Sequence, residues 1–311
     1  MTLGFAGGKG MIGTQLIRHF AESSTPMRAI VRSLSPAHES GMRTVSITYG
    51  DLCSLHDCEA FLTGVDTIFY LAHTNTPITS DLDWPSDAAL NLNPLLTLIQ
   101  AIRIMGHQPH VIYFSSGGAV YGPNTGRVPF LESDPCYPVS SYGVQKMTGE
   151  HYLRLAALKG ILKATVLRVG NAYGTLLPSQ RLQGFIGVTV NSLLAGKPAR
   201  VFGNPGNTRD YIHLDDVCRA GEAVLQPRDA FTVYNVGSGK GHTVREVLRI
   251  IEESLGIHVP CELPSSVEGA DWLTDWTVLD IAKAKRDLNW VPQIDLRAGI
   301  AKLIQQARTM S

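Results

Sequence analysis

Tyr142 and Lys146 stand four residues apart in the stretch Tyr142-Gly-Val-Gln-Lys146. On a helix that spacing puts both side chains on one face. A phenol beside a permanent positive charge is expected to have a lowered pKa and to act as a general base near neutral pH. A second pattern lies at the start of the chain, where Gly7, Gly10 and Gly13 are spaced G-x-x-G-x-x-G around Met11 and Ile12. Glycines so placed allow a tight turn, close approach of backbone to phosphate and close helix–strand packing. The turn therefore suits the pyrophosphate of a dinucleotide, or else is an ordinary strand–helix turn with spare glycines. A strand carrying Ser115 and Ser116 lies between the two motifs.

The elements that must position these residues follow from patterning. Short apolar strands are expected at Leu3 to Ala6, Arg28 to Val31, Thr44 to Thr48, Val65 to Leu71, Val111 to Ser115 and Ala164 to Arg168. Helices are expected after the glycine turn through Ala21, over Pro94 to Met105, and over Ser141 to Lys159. Continuous apolar strands alternating with helices indicate an α/β fold: a Rossmann doubly wound parallel sheet covered on both faces, with ligands at the strands' carboxyl ends. After Asn171 the texture changes, and Pro, Gly and Asn become frequent between Pro178 and Asn207. Later elements are expected at Val233 to Val236, Thr243 to Leu255 and Ile281 to Leu288. The expected division is a dinucleotide-binding domain over 1–171 with 209–241 interleaved. A smaller α/β C-terminal lobe over 172–208 and 242–311 then holds the substrate.

Bulk properties bound the function. The 311 residues carry no net formal charge, which disfavours nucleic acid as a partner. No run is expected to approach the length and apolarity of a membrane-spanning helix, and no signal pattern precedes the first strand. Five cysteines without C-x-x-C pairs read as reduced thiols in a cytoplasmic protein, and no metal site is expected.

Around the cofactor, Arg32 follows the second strand where an acidic residue would bind the ribose hydroxyls of NAD. Arg32 instead suits the 2′-phosphate of NADP, or is a solvated surface residue. Asp51 and Leu52 are placed to contact the adenine edge, with a plain turn as the alternative for Asp51. Leu71 and Ala72 end the fourth strand, so their backbone is expected along the cofactor. His73, next in line, is tempting as an acid but reads better as a satisfied polar neighbour.

Several further motifs accompany these: the segment Ser115-Ser116-Gly117-Gly118-Ala119-Val120-Tyr121-Gly122, Asn91, Arg168-Val169-Gly170-Asn171-Ala172-Tyr173-Gly174, Arg209-Asp210-Tyr211-Ile212-His213, and Asn235-Val236-Gly237. Together they resemble the extended short-chain dehydrogenase/reductases, in the NAD-dependent epimerase/dehydratase family that acts on nucleotide sugars. The resemblance covers essentially the whole chain. It implies that Tyr142 exchanges the proton of a sugar hydroxyl and that Lys146 holds the nicotinamide ribose. It implies that Asn91 positions its helix beside the cofactor, that Ser115 and Val169 are further cofactor neighbours, and that Asn171 and Arg209 contact the substrate diphosphate. Without the resemblance, Asn171 reads as a turn residue and Arg209 as a salt-bridge partner of Asp210 or Asp215. The resemblance also implies a homodimer through the helices at 91–105 and 141–159.

Three departures matter. Gly117 stands where the family usually has Ser or Thr, so Ser116 or Ser115 must bond the sugar oxygen. Gly118-Ala119 replaces the Asp-Glu pair of the dehydratases, which leaves no acid for a departing hydroxyl. An arginine often found shortly before Asp271 is absent, so the diphosphate falls to Arg209, Arg181 or Arg200. The expected activity is an NAD(P)-dependent nucleotide-sugar 4-epimerase working through a transient 4-keto sugar. The alternatives are an NADPH-dependent 4-ketoreductase and a non-catalytic cofactor sensor, the last disfavoured by the intact Tyr142 and Lys146.

Overall fold

The structure is a computed structural model that describes residues 1–34, 42–77, 79–181, 183–262 and 274–310. Seven strands form one wholly parallel sheet: β1 (Leu3–Ala6), β2 (Met27–Val31), β3 (Val45–Tyr49), β4 (Thr67–Tyr70), β5 (His110–Ser116), β6 (Lys163–Val169) and β10 (Phe231–Val236). Their order across the sheet is β10-β6-β5-β4-β1-β2-β3. The chain winds outward from β1 in one direction and from β4 in the other. The crevice between these two strands is the switch point where such sheets bind ligands.

Both faces of the sheet are covered. Helices α1 (Met11–Ala21) and α6 (Leu214–Ala223) bury Leu16, Ile17, Phe20 and Val217 against one face. Helices α2 (Leu55–Leu62), α3 (Trp84–Met105) and α4 (Ser141–Leu158) cover the other with Phe61, Leu95, Leu98, Ile102 and Leu153. The N-terminus of α4 is set by Ser140, whose hydroxyl accepts from Gly143 N at 3.2 Å.

Two expectations need correction here. Helix α3 begins at Trp84, ten residues before Pro94, which lies in its interior. The stronger start signal is Asp83, whose carboxylate accepts from Ser86 N at 3.1 Å, with Pro85 in the first turn. With its true start, α3 has 22 residues and is long and apolar enough to cross a membrane by length and composition, contrary to the expectation that no run is. In this fold its buried stripe of Leu95, Leu98, Ala101 and Ile102 packs with α2 and α4.

Beyond Val169 a second sheet forms. Strand β9 (Thr208–His213) pairs with β7 (Asn171–Tyr173), β11 (Gly241–Thr243) and β13 (Trp276–Thr277). A two-stranded pair joins β8 (Ala199–Arg200) to β12 (Cys261–Glu262). Helices α5 (Phe185–Leu194), α7 (Val244–Leu255) and α9 (Leu296–Met310) close a separate apolar cluster around Val190, Val247, Ile251 and Ile300, while α8 (Ala282–Leu288) lies against β10. The result is a Rossmann doubly wound sheet with a smaller α/β lobe. Segment 209–241 runs through both, since β9 lies in the second sheet and β10 completes the first.

Candidate active site

The glycine turn sits at the switch point, directly after β1. Gly7 has φ +94°, and a Cβ there would lie 2.6 Å from Ala72 N. Only glycine lets this turn approach the end of β4 so closely. A Cβ on Gly13 would lie 2.6 Å from Gly7 O, so Gly13 lets α1 pack onto the turn. Gly10 differs: a Cβ there would meet only Gly7 O, at 3.4 Å. It is the N-cap of α1 and offers no capping side chain. The first-turn N–H groups of α1 are thus left for an external anion, which is what a dinucleotide pyrophosphate requires. Met11 and Ile12 begin that first turn, half-buried.

Beside this cradle, Arg32 is exposed just past β2. Lys9 was not singled out from the sequence, yet its Nζ donates to Ser33 O at 2.7 Å, bringing a second cation to Arg32's neighbour. Asp51 is in part the plain turn residue of the alternative reading. Its Oδ1 accepts from Cys53 N at 2.8 Å, while Leu52 is half-buried against the core.

Asn91 is buried and reaches the loop after β4. Its Oδ1 accepts from Thr74 N at 2.7 Å, and its Nδ2 donates to Asp87 Oδ1 at 2.7 Å. Asp87, fully buried, is a hub that the sequence reading missed. It also accepts from Asn75 Nδ2 at 2.8 Å and from Ser141 Oγ at 2.6 Å. Ser80 and Asp81 complete the anchorage, accepting from Tyr142 N at 3.0 Å and Ser141 N at 2.8 Å. The start of α4 is thereby tied to the start of α3 and to the loop that follows β4.

Tyr142 and Lys146 share one face of α4, as their spacing required. Lys146 is 4% exposed, and its Nζ donates to Phe114 O at 2.9 Å. The ammonium lies 5.6 Å from the centre of the Tyr142 ring. The phenol is not acidified as expected. Burial pushes Tyr142 up to about 12, and hydrogen bonding with Ser116 pulls against that rise. Lys146 instead spends its nearest contact on the Phe114 carbonyl, and burial pushes it down to about 8. Desolvation is the largest influence on both groups.

His73 meets the Tyr142 ring edge-on, with centroids 4.6 Å apart. Its Nε2 is buried without a hydrogen-bond partner, so it is not the satisfied neighbour expected. Burial, then the charge of Lys146, pushes it down to about 2, so the imidazole is neutral and no acid at working pH.

Of the two serines, Ser116 faces the phenol. Ser115 is turned away, its Oγ donating to the buried Glu150 at 2.5 Å, so its side chain is not free for the cofactor. Gly117 has no room for a side chain, since a Cβ would lie 2.6 Å from Leu279 Cδ1. Its N–H is held by Val169 O at 2.8 Å. At Gly118 a Cβ would stand 3.2 Å from Asn171 Oδ1 and 3.9 Å from Ser116 Oγ, so Asn171 and Ser116 converge over a bare backbone.

Arg209 is half-buried on β9, its Nη1 donating to Thr208 O at 2.9 Å. It pairs with neither expected acid. Asp210 is buried and accepts from Ser238 N and Oγ at 2.6 Å and from Gly239 N at 3.1 Å. Asp215 takes Lys302 at 2.6 Å and Gln15 at 2.9 Å. Burial holds Arg209 below the ordinary guanidinium value, with Tyr211 and Asp275 opposing. Arg200 is stacked over Phe202, 5.2 Å from the ring centre. The segment before Asp271 lies outside the described residues.

Residues 5–237 match the NAD dependent epimerase/dehydratase family. The UDP-glucose 4-epimerase of Mycolicibacterium smegmatis is 31% identical over 81% of both chains. The dTDP-4-dehydro-6-deoxyglucose reductase of Escherichia coli is 28% identical over 97% of this chain and 96% of its own. The UDP-glucose 4-epimerase of Thermotoga maritima, solved with UDP-glucose, superposes with a TM-score of 0.90 at 27% identity, covering 100% of this chain and 99% of its own. The chain belongs to the NAD-dependent epimerase/dehydratase family.

Proposed function

We propose that this enzyme is a nucleotide-sugar 4-epimerase with Tyr142 as its acid/base. The observation that carries the reading is the convergence of Ser116, Tyr142 and Lys146 at the carboxyl ends of β5 and β6, beside a glycine turn with a bare helix N-terminus. A nicotinamide held there supplies a hydride acceptor and donor for the sugar carbon. The first turn of α1 from Gly10 holds the pyrophosphate, with Gly7, Met11, Ile12 and Gly13 shaping the turn. Leu71, Ala72 and Asn91 line the crevice, and Leu52 and Asp51 flank the adenine end.

Tyr142 takes the proton of the 4-hydroxyl and later returns it. Its raised pKa makes this depend on Lys146 staying charged and on Ser116 stabilising the phenolate by hydrogen bonding. Gly118 leaves space for the sugar between Ser116 and Asn171. Arg209, a half-buried cation left unpaired by Asp210 and Asp215, is suited to a diphosphate. Residues 172–208 and 242–311 then act as the substrate lobe on a dinucleotide-binding unit of 1–171 with 209–241.

The same reading includes a homodimer through α3 and α4. Ile104 and Met105 on α3 and Val144, Tyr152, Leu155 and Leu158 on α4 are exposed apolar residues on neighbouring helices.

A second reading, a 4-ketoreductase using NADPH, is favoured by one observation: Arg32 is exposed with Lys9 beside it, where a 2′-phosphate would lie. Mass spectrometry of the dinucleotide that co-purifies separates the two. NAD released only on denaturation supports the epimerase. An empty site that binds NADPH more tightly than NADH supports the reductase.

A further inference from the structure

We propose that Glu150 is a positioning residue for the catalytic pair: its buried carboxylate locks the face of α4 that carries Tyr142 and Lys146 onto the end of β5 and keeps an anion facing Lys146. The proposal rests on the reading of Tyr142 and Lys146 as the proton-handling pair.

Tyr142, Lys146 and Glu150 are spaced i, i+4 and i+8, so they form one row on α4. Lys146 and Glu150 grip consecutive residues of β5. Lys146 Nζ donates to Phe114 O at 2.9 Å, and Glu150 Oε1 accepts from Ser115 Oγ at 2.5 Å. The next residue is Ser116, whose influence on the phenol opposes the rise that burial imposes on it. Any slip of α4 along β5 would therefore break both rungs and move Ser116 relative to Tyr142.

Glu150 is itself held. Arg168 Nη2 donates to its Oε2 at 2.7 Å, and Arg168 Nε reaches both oxygens at 3.2 Å. The guanidinium lies 4.9 Å from the centre of the Tyr121 ring and donates through Nη1 to Glu132 O at 3.3 Å. A carboxylate gripped in this way is fixed, and its burial is compensated.

The groups that face Lys146 leave Glu150 as the anion acting on it. Tyr142 lies on the same helix, and the Tyr113 ring of β5 is 5.2 Å from the ammonium. Tyr70 of β4 stacks on Tyr113 at 5.8 Å, and His73 follows β4. Burial keeps the tyrosines protonated and His73 neutral. Arg168 of β6 is engaged by Glu150. Asp87, the other buried carboxylate near this face, is committed to Asn75, Asn91 and Ser141. Burial alone drives Lys146 down and Glu150 opposes it, leaving the ammonium at about 8 and only narrowly charged at neutral pH.

The test follows Lys146 directly, without turnover, by titrating protein carrying lysine labelled with ¹³C at Cε. The Lys146 resonance is assigned by its loss in Lys146→Met. In the wild type the midpoint is expected below that of free lysine. In Glu150→Gln it is expected to fall further, by roughly one pH unit, as loss of a near opposite charge requires. The alkaline limb of the pH–rate profile should move down with it. The pair Glu150→Gln/Arg168→Met avoids leaving a buried guanidinium unpaired and, because it also removes a positive charge, should show a lowered midpoint with a smaller drop. An unchanged Lys146 midpoint in either folded variant overturns the proposal. Absence of any epimerase turnover in the wild type would instead sink the functional reading and leave the titration informative.

Discussion

The proposed cofactor side and the proposed substrate side of this site are assembled differently. On the proposed cofactor side, Gly7, Gly10, Gly13, Tyr142 and Lys146 rest on local geometry: a turn and a helix face. On the proposed substrate side, Asn171 and Arg209 come from β7 and β9, which pair with each other, and β9 also pairs with the later strands β11 and β13. The first kind of site is encoded by spacing. The second exists only after the chain has folded. The cofactor half is therefore expected to be sensitive to single atoms and the substrate half to the ordering of strands.

The largest effect should come from the cofactor side. Tyr142→Phe removes the proton carrier and is expected to lower kcat by about 10²–10⁴-fold, as loss of a general acid/base does. Dinucleotide binding, read by equilibrium titration, should be unchanged. Loss of binding together with turnover would mean that the ring is structural. Next, Gly13→Val places side-chain atoms where even a Cβ would lie 2.6 Å from Gly7 O, so the dinucleotide should no longer bind at micromolar concentration. A variant that binds normally would break the cradle assignment.

On the substrate side, Arg209→Met should raise KM for a nucleotide sugar by roughly 10–100-fold, the worth of a charge-assisted hydrogen bond, with a smaller change in kcat. If kcat falls and KM holds, Arg209 supports the chemistry rather than the diphosphate.

A subtler effect concerns stability. His73 is pushed down to about 2 in the folded protein from an ordinary 6.5. Between those values the unfolded chain binds a proton that the folded chain does not. The His73 contribution is therefore fully present above pH 6.5 and is lost as pH falls. His73→Ala should flatten the fall in melting temperature between pH 6.5 and 4, and an unchanged slope would show that the imidazole is solvated. Smallest of all, Asp51→Asn should change cofactor affinity by less than about 2-fold, since one of its oxygens already serves a turn that asparagine can also make.

The sheet was legible from its continuous apolar strands, and the glycine turn and the Tyr142–Lys146 face from repeats of three and four residues. The start of α3 was misplaced because Pro94 is a familiar first-turn residue, while the actual cap, Asp83, lies in a polar stretch without periodicity. Strands β7 and β9 went unread because Asn171–Tyr173 and Thr208–His213 mix polar and aromatic residues. The acidity of Tyr142 was misjudged because spacing reports proximity to Lys146 but not the burial that outweighs it. Asp87 and Glu150 gave no signal of their own, although Glu150 continues the four-residue row from Tyr142 and could have been found by extending it. Arg209 was visible only through resemblance. That it escapes Asp210 and Asp215 depends on Ser238 and Lys302, far along the chain.

The most direct test of the central claim is to incubate the purified enzyme, with catalytic NAD, with UDP-glucose deuterated at carbon 4 and to follow the sugar by NMR. A 4-epimerase interconverts the two C4 epimers, with deuterium retained at carbon 4 and no net consumption of dinucleotide. No epimer with UDP-glucose or other nucleotide hexoses, together with stoichiometric oxidation of NADPH by a 4-keto sugar, would contradict that claim.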